Sequence, residues 1–206
     1  MDTGTKPNII FITAEQQRYD TVRAMGNEWM ITPNLDTMAA QGVAFTSALC
    51  CGATCMTSRG SFYQALYPHT TGIFAFDVYS GANCWVHRLR EAGYHCAAVG
   101  KTHLPGSGHG FHERIADQGN KYQPTWQGKP SLWATEFAAA GFDLPLDLHT
   151  RIPRFYDNLG AIVWPFPEEY HFDKWLGNKA VSWIDKRNPG RHPFYLHVGF
   201  LGPHDL

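Results

Sequence analysis

The sequence has almost no excess charge: 17 Lys and Arg face 18 Asp and Glu in 206 residues, a formal net charge of −1. That balance removes any general electrostatic reason to bind nucleic acid or an anionic membrane. No apolar run approaches the length of a membrane span, and the opening MDTGTKPN lacks the basic and apolar regions of a secretory signal. Internal repeats, low-complexity tracts and a recognisable domain linker are also missing. These absences predict a cytoplasmic protein with neither nucleic acid nor membrane as partner. The five cysteines, an odd number scattered as Cys50, Cys51, Cys55, Cys84 and Cys96, do not form a disulfide framework in a chain of this size. Reduced thiols are expected, and Cys50, Cys51, Cys84 and Cys96 read as small buried hydrophobes.

What the chain does have is core-forming material, 44% hydrophobic and 14% aromatic residues, enough for one large domain or a piece of one. Apolar runs alternate with helical patterns. NIIFITA (8–14) reads as a buried strand. TPNLDTMAAQG follows as a helix, with Thr32 as N-cap, Pro33 at its first position and Gly42 as its stop. VAFTSA (43–48) returns as strand, RGSFYQAL predicts a helix starting just after Cys55, and CWVHRLREAGY a helix ending at Gly93 and feeding the strand HCAAVG. From about 101 to 167 the pattern breaks into a long irregular insertion with one helical patch near LWATEFAAAGF, a feature that usually elaborates a site. EYHFDKWLGNKAVSWIDKR then reads as an amphipathic helix and PFYLHVGF as a strand. This alternation predicts an α/β domain whose mostly parallel or mixed central sheet is flanked by helices.

Ligands of open α/β sheets bind outside the carboxyl ends of the strands. Three polar clusters fall there: EQQRYD after the first strand, GKTHLPG after HCAAV, and GPHDL after PFYLHVGF. Together with CMTSRG (55–60), which places a thiol, two hydroxyls and a guanidinium within five residues, they suggest one convergent site. As solvated loop residues, Glu15 and Gln16 would merely end a strand, Arg59 would lie on a helix surface, and Lys101 and His103 would be ordinary loop positions. His109 and His112 in GHGFH invite zinc, but no matching ligand set accompanies them. Arg18 and Asp20 read as structural. The tryptophans of PTWQGKPSLW either line a substrate entrance or pack a long loop.

The ordered set KPNIIFITAEQQRYD, TPNLDTMAAQGVAFTSA, CMTSRGSFYQALYPHTTGI, LREAGYHCAAVGKTHL, TRIPRFYD and HPFYLHVGFLGPHD resembles the N-terminal part of a type I sulfatase, in the alkaline phosphatase superfamily, near the phosphonate monoester hydrolases. The resemblance implies that residues 1–206 are the N-terminal portion of one alkaline-phosphatase-like catalytic domain, incomplete in this chain. It implies that Cys55 is a precursor, oxidised by a separate formylglycine-generating enzyme, and that the hydrated aldehyde is the nucleophile. Glu15 and Gln16 then match the first ligand pair of one divalent metal ion, with the oxygen at Cys55 as a further ligand. Calcium is the expected ion, with magnesium and manganese as alternatives. Arg59 neutralises the nucleophile's surroundings, Lys101 and His103 grip the nucleophile and the sulfate oxygens, and His204 contacts the sulfate or donates to the leaving group. His69 orders its loop.

The chain also departs from the family pattern. Thr57 stands where proline or alanine is usual, Glu15 where aspartate is commoner, and Gln16 where most sulfatases carry a second aspartate. A second metal-ligand pair and a further lysine are expected beyond position 206. Lys101-x-His103 favours sulfatase over phosphonate hydrolase, which by this resemblance carries tyrosine and threonine there. The chemistry agrees: a sulfate ester needs a strong oxygen nucleophile, neutralised oxyanions and help for the departing alkoxide. The expected activity is hydrolysis of a small-molecule sulfate ester, in partnership with the C-terminal remainder of the domain and with a homo-oligomer as one further possibility. Three alternatives stand beside it: a phosphonate monoester or phosphodiester hydrolase on the same site, an unmatured or truncated anion-binding domain, and a thiol hydrolase pairing Cys55 with His103. The last lacks a third group to orient the histidine.

Overall fold

A computed structural model describes residues 6–74, 84–104, 108–116, 125–126, 129–146, 148–158, 160–187 and 192–204. The strands are β1 (Ile9–Thr13), β2 (His95–Gly100), β3 (Glu113–Ile115), the two-residue β4 (Thr125–Trp126) and β5 (Lys129–Pro130), and β6 (Phe194–Gly199). Four of them form one sheet in the order β1-β6-β2-β3, with every pairing parallel, while β4 and β5 pair antiparallel on their own. The helices are α1 (Pro33–Gln41), α2 (Cys55–Gln64), α3 (Pro68–Thr71), α4 (Val86–Glu91), α5 (Leu132–Ala139), α6 (Leu148–Arg151) and α7 (Phe172–Asp185).

Side-chain alternation along the strands builds two cores, one on each face. Ala97, Val99, Leu196 and Val198 meet Trp133 and Phe137 of α5 and Phe172, Trp175, Leu176 and Trp183 of α7. On the opposite face Cys96, Ala98 and Tyr195 meet Met56 and Tyr63 of α2 and Val86 of α4. The strands β2 and β6 close tightly at their carboxyl ends: a Cβ at Gly100 would strike the Gly199 carbonyl, and one at Gly199 would strike the backbone of Lys101. Small residues there let Lys101 N–H donate to Gly199 O at 2.9 Å and carry Lys101 directly off the sheet edge.

The expected α/β architecture is present, with four corrections. First, β1 is covered on one face only. The register aligns Ile10 with Leu196 and Ile12 with Val198, yet Ile10 and Ile12 are 48% and 52% exposed, because α7 lies over β2 and β6 rather than β1. Second, Val43–Ala48 forms no strand. Val43 and Phe45 are exposed there, and β-branched and aromatic content does not make a strand without a ladder partner. Third, α2 starts at Cys55 itself rather than after it. Fourth, the stretch from 101 to 167 contributes β3 to the main sheet; its three residues, Glu-Arg-Ile, carry no apolar run to announce a strand. The helix near LWATEFAAAGF is α5. Thr32 precedes α1 as expected, but its hydroxyl donates to the Asp36 carboxylate at 3.0 Å rather than capping an amide.

Candidate active site

The carboxyl ends of β1 and β6 and the amino end of α2 enclose a cleft of about 580 Å³. From the end of β1 and the loop after it come Thr13, Ala14, Glu15, Gln16 and Gln17; from the loop before α2 come Cys50, Gly52, Ala53 and Thr54; from α2 itself come Cys55, Ser58, Arg59 and Phe62; and from the turn after β6 comes His204. Cys55, Arg59 and Phe62 fall on one side of α2 because residues three and four apart are helix-surface neighbours. The Thr54 side chain caps no amide of α2; its hydroxyl instead donates to Thr57 Oγ1 at 2.8 Å. The first-turn N–H groups around Cys55 therefore keep the positive potential of an open helix end.

Beneath Cys55 lies a dehydrated ion triad. Arg59 donates from Nε to Glu15 Oε1 at 2.9 Å and again from Nη2, while Lys101 Nζ stands 3.3 Å from Glu15 Oε2. The third Arg59 nitrogen, Nη1, donates to the Lys101 carbonyl at 2.6 Å. Exposure is 7% for Glu15, 4% for Arg59 and 1% for Lys101. Burial is the largest influence on the Glu15 carboxyl and pushes its pKa up, but attraction and hydrogen bonds from Arg59 and Lys101 together outweigh it, and the net shift is downward. Burial, aided by Arg59, pulls the Lys101 ammonium down against the pull of Glu15 and Cys55. Two cations against one carboxylate leave this pocket with an unbalanced positive charge, which suits a hard anion.

A second polar group supports α2 from below. His197 of β6, fully buried, makes a hydrogen bond through Nδ1 with the Tyr63 hydroxyl and through Nε2 with Thr13 Oγ1 at 3.0 Å. It ties the Cys55 helix to the end of β1. Burial, reinforced by Arg59, holds its pKa down at about 3, so the ring is neutral.

Of the residues singled out in the sequence, Glu15, Gln16, Cys55, Arg59 and His204 share the cleft, and Lys101 sits against Glu15. His103 is half-buried with a left-handed backbone (φ 58°) and does not line the cleft. His69 lies in α3, its ring stacked on Tyr67 at 5.7 Å. Arg18 and Asp20 pair with each other at the surface. His112 accepts the Cys96 amide at 3.1 Å and stacks on His95 rather than gathering ligands. Cys84 and Cys96 are buried, with thiols raised to about 11 by burial. Cys50 and Cys51 are exposed, contrary to expectation, because their loop runs over the surface before α2. Thr13 and Phe62 went unnoticed in the sequence, and Ser58 entered only as one of the two hydroxyls of CMTSRG. Ser58 and Phe62 were accessible from helical spacing alone, whereas nothing marks His197, a lone histidine in an apolar strand.

Glu15 and Gln16 offer oxygen donors of the kind a hard divalent cation takes, but not the number, since such a site takes about six to eight oxygens. Among the described residues no group of three His, Cys, Asp or Glu could hold a metal ion. The segment thus fits such an ion in chemistry as part of a shell.

Comparison with known proteins gives a consistent picture. The sulfatase family profile matches residues 7–206. An arylsulfatase of Clostridium perfringens is 28% identical over 97% of this chain and 44% of its own. An ulvan-active sulfatase of Formosa agariphila is 37% identical, covering 98% of this chain and 36% of its own. The crystal structure of the phosphonate monoester hydrolase of Agrobacterium radiobacter matches with a TM-score of 0.75 over 97% of this chain and 41% of its own, at 21% identity, a likeness of fold. The chain spans less than half the length of these relatives. No helix among the described residues is long and apolar enough to cross a membrane.

Proposed function

This chain belongs to the sulfatase family, and we propose that it carries the nucleophile-bearing part of a metal-dependent sulfate ester hydrolase. The observation that supports this reading is the convergence of Cys55, Arg59, Glu15, Gln16 and His204 on one cleft above a positively unbalanced ion triad. Oxidation of Cys55 to formylglycine would supply a hydrated aldehyde, a nucleophile with a second hydroxyl left over to release sulfate. A hard divalent cation, calcium in preference to magnesium or manganese, would hold sulfate oxygens and depress a hydroxyl pKa. The residues of this chain that would hold it are Glu15, Gln16 and the oxygen at position 55.

The remaining roles belong to side chains of this chain. Arg59, clamped by Glu15 and by the Lys101 carbonyl, presents a fixed cation that needs no reorganisation as charge develops. Lys101 supplies the second cation. His204 faces the cleft from the β6 side, where it can hold a proton toward the departing ester oxygen. His103, two residues from Lys101, is the further proposed sulfate contact. The C-terminal remainder of the domain is the proposed partner for the uncovered face of β1 and the source of the missing metal ligands. A formylglycine-generating enzyme acts on Cys55 during maturation.

The test uses the complete protein produced with a formylglycine-generating enzyme. Peptide mass mapping should find the aldehyde or its hydrate at Cys55 despite Thr57. Cys55→Ala should abolish aryl sulfate cleavage, and Cys55→Ser should accumulate a sulfated serine, which attacks but has no second hydroxyl for release. Fully active enzyme with an intact Cys55 thiol would overturn the reading. Faster turnover of an aryl phosphonate or phosphodiester would reassign the substrate, and no turnover of any ester would leave an anion-binding domain.

A further inference from the structure

We infer that Asp173, outside the cleft, is a positioning residue that sets the places of His204 and Glu15. The catalytic part of this inference rests on the sulfate ester hydrolase reading; the structural part rests on geometry alone.

After β6 the chain must leave a buried strand and turn back toward the cleft. Phe200 N–H donates to Thr13 O at 2.9 Å and Glu15 N–H donates to Gly202 O at 3.1 Å, so this turn is laced to the end of β1. Within the turn, His204 N–H donates to Leu201 O at 3.0 Å. The inside of the turn is filled by the Asp173 carboxylate. Its Oδ1 accepts from Leu201 N–H at 3.0 Å and from Gly202 N–H at 3.1 Å. Its Oδ2 occupies the space a Cβ at Gly202 would need, so only glycine closes over it. Gly202 therefore relays: its amide is held by Asp173 and its carbonyl holds the amide of Glu15.

Asp173 can serve as an anchor because it lies in the first turn of α7, whose neighbouring Phe172, Trp175 and Leu176 are buried against the sheet. Charge-assisted bonds to two amides are stronger than neutral ones and fix direction as well as distance. An aspartate in the first turn of a helix also has a plainer use, favourable interaction with the helix dipole. That use involves neither Leu201 nor Gly202 and predicts no effect at Glu15, which follows β1 in a distant part of the chain.

The two uses separate in the complete, matured protein, compared as wild type, Asp173→Ala and Asp173→Asn. Asparagine keeps an acceptor at Oδ1, and alanine does not. Amide exchange at Leu201, Gly202 and Glu15 should quicken roughly 10-fold or more in the alanine variant and stay within about 3-fold in the asparagine variant. For an aryl sulfate, alanine should lower kcat roughly 10- to 100-fold with KM within about 3-fold, the signature of misplaced groups rather than lost binding. Asparagine should restore most of kcat. Unchanged exchange at Glu15 together with wild-type kcat in the alanine variant would overturn the inference, as would equal losses in both variants that track a lowered melting temperature. If the exchange pattern appears while wild-type protein cleaves no sulfate ester, the positioning role stands and the hydrolase reading fails.

Discussion

The two ends of the sheet each place one carboxylate beside basic side chains, and only one end looks like a site. At the carboxyl ends, Glu15 meets Arg59 and Lys101 in near-complete exclusion from water, with the cleft directly above. At the amino ends, Glu113 Oε1 pairs with His95 Nε2 at 2.9 Å, accepts from Trp183 Nε1 at 2.9 Å and receives Arg187, whose guanidinium lies 4.0 Å over the Trp183 ring. There the side chains of His95, Glu113 and Arg187 remain 30–38% exposed, and one carboxylate balances one guanidinium. Loops from β1, α2 and β6 converge on a cleft at the first end, whereas Glu113 at the second is met by the tail of α7 and the start of β2. Pairing of charge does not mark a functional site; dehydrated, unbalanced charge beneath an open cleft does.

That contrast can be broken from the buried end first. Arg59→Met should destabilise the complete protein by about 3–5 kcal/mol in denaturant unfolding, because the buried Glu15 carboxylate loses its charge-assisted hydrogen bonds and the Lys101 carbonyl loses its donor. Acid should act next, through His197. Its folded pKa of about 3 lies below the unfolded value near 6.5, so stability is present above pH 6.5 and lost as the unfolded chain takes up a proton on the way down toward pH 3. The loss should reach about 2 kcal/mol by pH 5 and vanish in a His197→Gln comparison; equal pH slopes for both proteins would refute it. The exposed end should respond least. Glu113→Gln should cost under about 1 kcal/mol, less again in high salt. Burial pushes the Glu113 carboxyl up, but bonds from His95 and Trp183 and the charge of Arg187 draw it down overall, so its contribution is present above about pH 4.5 and fades below it. A Glu113→Gln loss as large as that of Arg59→Met would erase the distinction between the two ends.

Much of this was legible in one dimension. Continuous apolar runs announced β1, β2 and β6, and an amphipathic helical pattern announced α7, because these signals come from the burial that makes the elements form. The strand expected at Val43–Ala48 did not form, and β3 was not anticipated, for one reason: strand identity depends on the neighbouring strand more than on the residues within it. At the site, polar clusters at strand ends pointed to Glu15, Gln16, Lys101 and His204, and the CMTSRG stretch to Cys55 and Arg59. His103 belongs to the same strand-end cluster as Lys101, but it is not among the residues that line the cleft.

The sequence by itself determined the family, the α/β class and the chemical character of the cleft, since donor types and their order along the chain are local properties. Only the tertiary structure decided which charges lose their water. Glu15, Arg59 and Lys101 lie more than forty positions apart along the chain, and their ionisation reflects desolvation and distances that exist only once β1, β2 and α2 pack together. The same holds for His197 and Asp173. Each looks ordinary in its own segment, a histidine in a strand and an aspartate at a helix start. Each gains its role from hydrogen bonds to segments distant in the chain, Thr13 and Tyr63 for one and Leu201 and Gly202 for the other.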